Sequence, residues 1–239
     1  MVKPEIFFSQ PGAVSIITCT KRRYCMNTLL HNYSRQNYQN KELIIILNHK
    51  SLKINEYINA AKPYKNVRIY SLPNHSLGSC LNYGVKVARY NHIAKFDDDD
   101  YYAPGYLEDS MQILRKTNAD IVGKRAHYMY LSSKKVLLHR YYNMADKYVP
   151  LVQGATLVVK RHVFSKVSFP NRNQGESVKF CSNSRAKGFE IYAGNPYNFV
   201  AYRRKNSRDH TWIVSDNNLL ASKVKVLKVR DPEKFVIRA

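Results

Sequence analysis

His92-Ile93-Ala94-Lys95-Phe96-Asp97-Asp98-Asp99-Asp100 runs a short apolar segment directly into four consecutive carboxylates. An apolar run of this length, bounded by polar residues, suits a buried strand, and the acids follow its carboxyl end. In open α/β sheets ligands bind beyond the carboxyl ends of strands, so the acidic run marks a place where a cation is held. Clustered carboxylates repel one another unless a cation neutralises them, and hard oxygen donors suit Mg2+ or Mn2+. The alternative is an acidic loop capping a helix that starts near Pro104, where the helix dipole favours negative charge.

Working outward, Val14-Ser15-Ile16-Ile17, Glu42 to Leu47 and Val67 to Leu72 read as further strands, the first two Ile-rich enough to be buried on both faces. Between the first two, Met26, Leu29, Leu30 and Tyr33 recur at helical spacing, as do Leu107, Met111 and Leu114 after Pro104. From Ile121 the pattern loosens into strands over 121–131, 135–139 and 155–159 and short helices over 161–166 and 177–187. Strands alternating with helices predict an α/β fold, a mostly parallel sheet flanked by helices. A chain of 239 residues fits one such domain. Residues 221–239 form a basic C-terminal arm in this reading, although the period-two stretch Lys223-Val224-Lys225-Val226 also suits an edge strand.

Hydrophobic residues at 44% and charged residues at 23% exclude collagen-like and wholly disordered classes. No apolar run approaches the roughly 20 residues that span a bilayer. Residues 1–12 lack a signal-peptide apolar stretch, and four cysteines without close pairs suit neither a disulfide framework nor a zinc site. The expected location is the cytoplasm, with peripheral association at the inner face of an anionic membrane as an extension of the charge. That charge is the outlier: 39 Lys and Arg against 17 Asp and Glu give +22, a field that attracts nucleic acid, anionic lipid or a polyanionic substrate.

The order of segments resembles the family 2 glycosyltransferases of the GT-A fold. Val14 to Ile17 with Cys19-Thr20-Lys21-Arg22-Arg23 looks like the family's opening strand and nucleotide-binding loop. Ser34-Arg35-Gln36-Asn37-Tyr38 with Glu42 to Leu47 looks like its next helix and strand, and Leu77-Gly78-Ser79-Cys80-Leu81-Asn82-Tyr83-Gly84 like its glycine-and-asparagine helix start. Ile93 to Phe96, the acidic run and Tyr101-Tyr102-Ala103-Pro104 resemble the strand ending in the DxD motif. The similarity continues through Gly154 to Val158 and Gly175-Glu176-Ser177 and ends near His210-Thr211-Trp212. It implies a domain over residues 1–220, with a nucleotide-binding half at about 13–105 and an acceptor half at about 106–220.

The resemblance further implies an inverting transfer of sugar from a nucleotide-sugar donor to a hydroxyl acceptor, and the positive charge suits a polyanionic acceptor such as a cell-surface or wall polysaccharide. A divalent metal, Mn2+ or Mg2+, would neutralise charge on the leaving diphosphate. Asp99 is expected on that metal, Asp97 near the ribose, Asp98 turned away and Asp100 orienting the ligands, with His210 as a third metal ligand. Arg204, with Arg203 and Arg208, suits a phosphate clamp because guanidinium pairs bidentately with phosphate oxygens. Glu176 is the expected general base; the family often reads Glu-Asp here and gives the Asp that role, whereas this chain has Glu176-Ser177. Thr18, Thr20, Arg22, Asn82 and Asn48, where the family usually offers an acid, are expected at the base and ribose. Tyr101 and Tyr102, beside the acids, are candidate flat faces for a sugar or nucleobase.

Two rival readings stand beside this one. Charge +22 with 19 tyrosines suits a nucleic-acid-binding protein, although four aspartates at a strand end repel phosphate. Ser177 and the non-acidic Asn48 also suit a glycosyltransferase fold that binds nucleotide but has lost transfer.

Overall fold

Runs of Ile and Leu alternate with amphipathic segments through the first ninety-odd positions, and the expected strands form, with a helix over 54–61 that the sequence reading did not name, in the computed structural model, which describes residues 12–205, 213–222 and 224–238. They are β1 (Val14–Thr20), α1 (Met26–Ser34), β2 (Lys41–Leu47), α2 (Ile54–Ala61), β3 (Val67–Ser71), α3 (Leu77–Val87) and β4 (His92–Lys95). The four strands pair in parallel in the order β3-β2-β1-β4. Side chains alternate faces along a strand, and β2 shows why it needs apolar residues at every position. Leu43, Ile45 and Leu47 enter the core on one side of the sheet, while Ile44 and Ile46 enter the core on the other. Because the strands are parallel, their carboxyl ends share one edge, and the chain leaves β4 there into the acidic run.

Ser76 caps α3 by accepting a hydrogen bond from the Ser79 amide at 3.2 Å. Gly78 follows because a Cβ there would lie 1.8 Å from the Pro170 carbonyl oxygen, a backbone atom that cannot turn aside. Gly78→Ala is therefore expected to push α3 off the 169–173 loop and to cost about 1–3 kcal/mol in urea unfolding. Wild-type stability in that variant would show that the loop yields freely.

The second half contributes β5 (Tyr101–Tyr102), α4 (Tyr106–Lys116), β6 (Ile121–Gly123), β7 (His127–Leu131), β8 (Val136–Arg140), β9 (Lys147–Tyr148), β10 (Val158–Lys160), α5 (Glu176–Ala186), β11 (Ile191–Ala193), β12 (Phe199–Arg203), α6 (Asp216–Ala221), β13 (Val224–Leu227) and α7 (Pro232–Val236). β10 runs antiparallel between β4 and β6, extending the first sheet to β3-β2-β1-β4-β10-β6-β11-β9. A second sheet, β13-β8-β7-β12-β5, begins where the acidic run ends.

Three expectations are corrected. The strand expected over 121–131 is two strands in different sheets, because the Lys124 amide leaves the ladder to donate to Thr156 Oγ1 at 2.8 Å. The strand expected from 155 starts at Val158, since Gly154–Thr156 coil into a 3-10 turn. The C-terminal segment is an edge strand and not an arm: β13 pairs antiparallel with β8, and Val236 of α7 is fully buried. No helix among the described residues is long and apolar enough to cross a membrane.

Candidate active site

A cleft of about 940 Å³ opens at the shared carboxyl edge of the parallel strands. Arg22 from the loop after β1, Asn48 from the end of β2 and all four acids after β4 line one part of it. Gln153, Gly154, Glu176 and Ser177 line another part, and Arg125, Arg140, Tyr141 and Arg203 bring in the second sheet.

The acidic run divides its work by position. Asp98 is 2% exposed and accepts from Thr20 Oγ1 at 2.5 Å, from Arg22 Nε at 3.2 Å and from Arg22 Nη2. It thus ties the β1 loop to the β4 loop. Asp99 accepts from Arg22 Nη1 at 3.0 Å and from Arg204 Nη2 at 3.1 Å. Burial works to lower the Arg22 pKa, but the charges of Asp98 and Asp99 raise it well above its ordinary value. Asp100 is buried and accepts from the Tyr202 amide at 3.0 Å; burial, with the charges of Asp99 and Asp97, pushes its carboxyl well upward. The backbone here is pinned too, with Asn32 Nδ2 donating to the Asp100 carbonyl at 2.7 Å.

Asp97 pairs with Lys95, the one basic residue buried in β4. Burial works to lower the Lys95 pKa, and the carboxylates of Asp97 and Glu176 reverse that and raise it. One ammonium therefore answers to both the acidic run and Glu176. Glu176 opens α5 after Gly175, whose φ of 69° turns the chain into the helix in a region glycine enters freely. The carboxylate is 8% exposed, lines the cleft and accepts from Ser177 Oγ at 2.8 Å.

Arg22, Asn48, Asp97, Asp98, Asp99, Asp100 and Glu176 are thus gathered around one cleft. Thr20 sits beneath it through Asp98, and Arg204 reaches it through Asp99. Thr18 is buried within β1. Asn82 corrects an expectation: its side chain donates to the Phe169 carbonyl at 2.8 Å and accepts from the Phe169 amide at 2.9 Å, so both ends hold a loop. Tyr101 and Tyr102 correct another. The Tyr102 ring is fully buried and stacked on Phe96 at 3.7 Å, and its hydroxyl bridges the Asp97 amide and the Ala155 carbonyl. Tyr101 is buried under the Arg35 guanidinium at 4.7 Å. His210 and Arg208 lie outside the described residues.

Lys95 and the Arg125, Arg140 and Tyr141 group escaped the sequence reading. A lysine inside an otherwise apolar strand was a readable signal for Lys95. The others depend on how β7 and β8 pair, which no local pattern encodes.

For a divalent metal, Asp97 and Asp99 line the cleft and carry hard oxygen donors, which here meet Lys95 and the guanidinia of Arg22 and Arg204. No three His, Cys, Asp or Glu side chains among the described residues converge to close a metal shell. A metal here would take its remaining oxygens from a ligand, which suits a cation carried on a diphosphate.

Comparison with known proteins adds to this geometry. The sequence profile of glycosyl transferase family 2 matches residues 15–169. A curated relative named as an uncharacterized glycosyltransferase of Rickettsia felis is 33% identical over 82 residues, 34% of this chain and 14% of that protein. Among solved structures, TarS 1-349 of S. aureus in complex with UDP-GlcNAc superposes with a TM-score of 0.66 at 16% identity, over 85% of this chain and 62% of that one. Mannosyltransferase PcManGT from Pyrobaculum calidifontis, in complex with GDP-Man and Mn2+, gives 0.65 at 14% identity, over 82% and 57%. At such identities the likeness is one of fold, and the chain spans less than two thirds of each of these proteins.

Proposed function

The chain belongs to glycosyl transferase family 2 and has a GT-A fold, and from that premise we propose that it transfers a sugar, with inversion, from a nucleotide-sugar donor to a hydroxyl of a cell-surface or wall polysaccharide. The observation that carries this reading is one cleft holding the acidic run, the β1 loop and Glu176 together.

In this scheme Arg22 and Asn48 face the nucleoside, and Arg204 lies beside the diphosphate. Asp97 and Asp99 would hold Mn2+ or Mg2+, which when bound neutralises charge on the leaving diphosphate. PcManGT, seen with Mn2+ and GDP-Man, supports a metal at this kind of site. Glu176 accepts the acceptor hydroxyl's proton as the new bond to the anomeric carbon forms. The bond from that carbon to the diphosphate oxygen breaks, and the nucleoside diphosphate leaves with the electron pair.

The test is a thermal-shift panel of UDP, GDP, dTDP, CDP and ADP with and without Mn2+. One nucleotide should stabilise the protein in a metal-dependent way, by roughly 2.7 kcal/mol at a hundredfold excess over its Kd. If none binds at millimolar concentration, the proposal fails.

A further inference from the structure

The loop that leads into Glu176 grips the start of α3 with three residues in succession. Asn171 Oδ1 accepts from Ser76 Oγ at 2.6 Å and from Ser79 Oγ at 2.9 Å. The Arg172 carbonyl accepts from the Gly78 amide at 3.1 Å, and Asn173 Oδ1 accepts from the Leu77 amide at 2.9 Å. Gly78 lets the two segments approach this closely, because the Pro170 carbonyl stands where a Cβ would be. With Ser76 Oγ on the Ser79 amide, the amides of Leu77, Gly78 and Ser79, which have no partner inside the helix, are all taken. The start of α3 is therefore committed to this loop and not to a bound anion.

Asn173 differs from the other two grips in that it also lines the cleft, with His75 and Leu77 to the α3 side and Glu176 following it in the chain. Its orientation is fixed by chemistry. A backbone amide only donates, so the Asn173 atom that meets the Leu77 amide is the oxygen. The NH2 group, with two protons to donate, is the end turned away from that bond. Transfer places the moving sugar between the diphosphate and the attacking hydroxyl, so that sugar adjoins Glu176. Asn173 belongs to the same loop as Glu176 and is bonded to the half that carries the donor loops, which sets its NH2 beside the sugar ring.

We propose that Asn173 reads a hydroxyl of the transferred sugar: its NH2 donates to the hydroxyl oxygen while its carbonyl stays on the Leu77 amide. The backbone bond holds the donor in one direction, so a sugar whose hydroxyl points elsewhere leaves it unpaired, and polar groups placed in this way discriminate between analogues. The proposal rests on the transferase reading, because it names a group that selects the donor sugar in that same cleft. It also gives the grip on α3 a task beyond holding two segments together.

Calorimetry on the full chain with Mn2+ tests it, using UDP-glucose, UDP-galactose, UDP-GlcNAc and GDP-mannose, each beside its own nucleoside diphosphate. Asn173→Asp keeps an oxygen for the Leu77 amide and removes the NH2, whereas Asn173→Ala removes both. Each variant should weaken at least one nucleotide sugar, relative to its diphosphate, by about fivefold, the worth of one hydrogen bond. Urea unfolding should leave Asn173→Asp close to wild type and Asn173→Ala below it, which separates the hydroxyl contact from the grip on α3. UDP-glucose and UDP-galactose differ in the direction of one hydroxyl, so loss of discrimination between them in both variants supports the proposal and names that hydroxyl. Unchanged ratios of sugar to diphosphate affinity in both variants overturn it. So does a loss shared equally by sugars and diphosphates, or a loss in Asn173→Ala alone, which would make the residue a strut. A wild type that binds none of these compounds overturns the transferase reading together with this assignment, whereas bound diphosphates with unchanged ratios overturn the assignment alone.

Discussion

Glu176→Gln is expected to lower kcat for transfer by about 10²–10⁴ while nucleotide affinity stays within twofold, because it removes a proton acceptor and one of the two carboxylates near Lys95, whose ion pair with Asp97 remains. The substitution keeps the shape of the side chain. Its amide oxygen can still accept from Ser177 Oγ, as the carboxylate does at 2.8 Å. Helix α5 keeps its start at Gly175, and the acidic run is untouched. What is lost is the capacity to take a proton from a hydroxyl in the cleft. Ser177 has a defined part in this account: its hydrogen bond fixes the rotamer of the residue before it. Ser177→Ala should therefore cost less, roughly the 0.5–1.5 kcal/mol of one hydrogen bond, read as a several-fold loss in kcat. Steady-state rates for both variants decide the matter. If Glu176→Gln transfers within threefold of wild type, the base lies elsewhere. A wild type that binds nucleotide yet never transfers would move the protein to the binding-only reading.

How much of this was legible depends on the range over which each feature is encoded. The first four strands could be read because β1 and β2 are buried on both faces, which demands unbroken Ile and Leu and leaves a local signature. The acidic run could be placed because the end of a parallel strand fixes where the next residues emerge. Tyr102 was misread for a physical reason. Nothing near it in sequence shows that Phe96 will stack on its ring or that Ala155, fifty-three positions on, will accept from its hydroxyl. Asn82 was misread in the same way, since its partner Phe169 belongs to a distant loop. The arginine group depends on the pairing of His127 with Arg140 between β7 and β8, short strands that carry little periodicity. Resemblance supplied the order of parts, and the tertiary pairings decided which side chains were left to face the cleft.

The two middle aspartates offer the sharpest separation between structure and chemistry. Asp98 is 2% exposed and holds both Thr20 and Arg22, whereas Asp99 keeps 13% of its side chain exposed and meets the guanidinia of Arg22 and Arg204. Removing one partner of a buried ion pair leaves the other charge uncompensated, typically at a cost of about 3–5 kcal/mol. Asp98→Ala should therefore lose about that much stability in urea unfolding, a sizeable share of the roughly 5–15 kcal/mol that holds a domain folded. Arg22 retains Asp99 in that variant, which places the loss toward the lower end. Asp99→Ala should unfold nearer to wild type, because Arg22 then keeps its closer partner, Asp98. It should instead abolish the Mn2+-dependent part of nucleotide stabilisation, since it takes away one of the two carboxylates proposed to hold the cation. The two variants thus exchange phenotypes: one folds poorly, and the other folds but does not respond to metal. Equal stability losses with equal retention of the Mn2+ effect would show that Asp99 does not hold the cation.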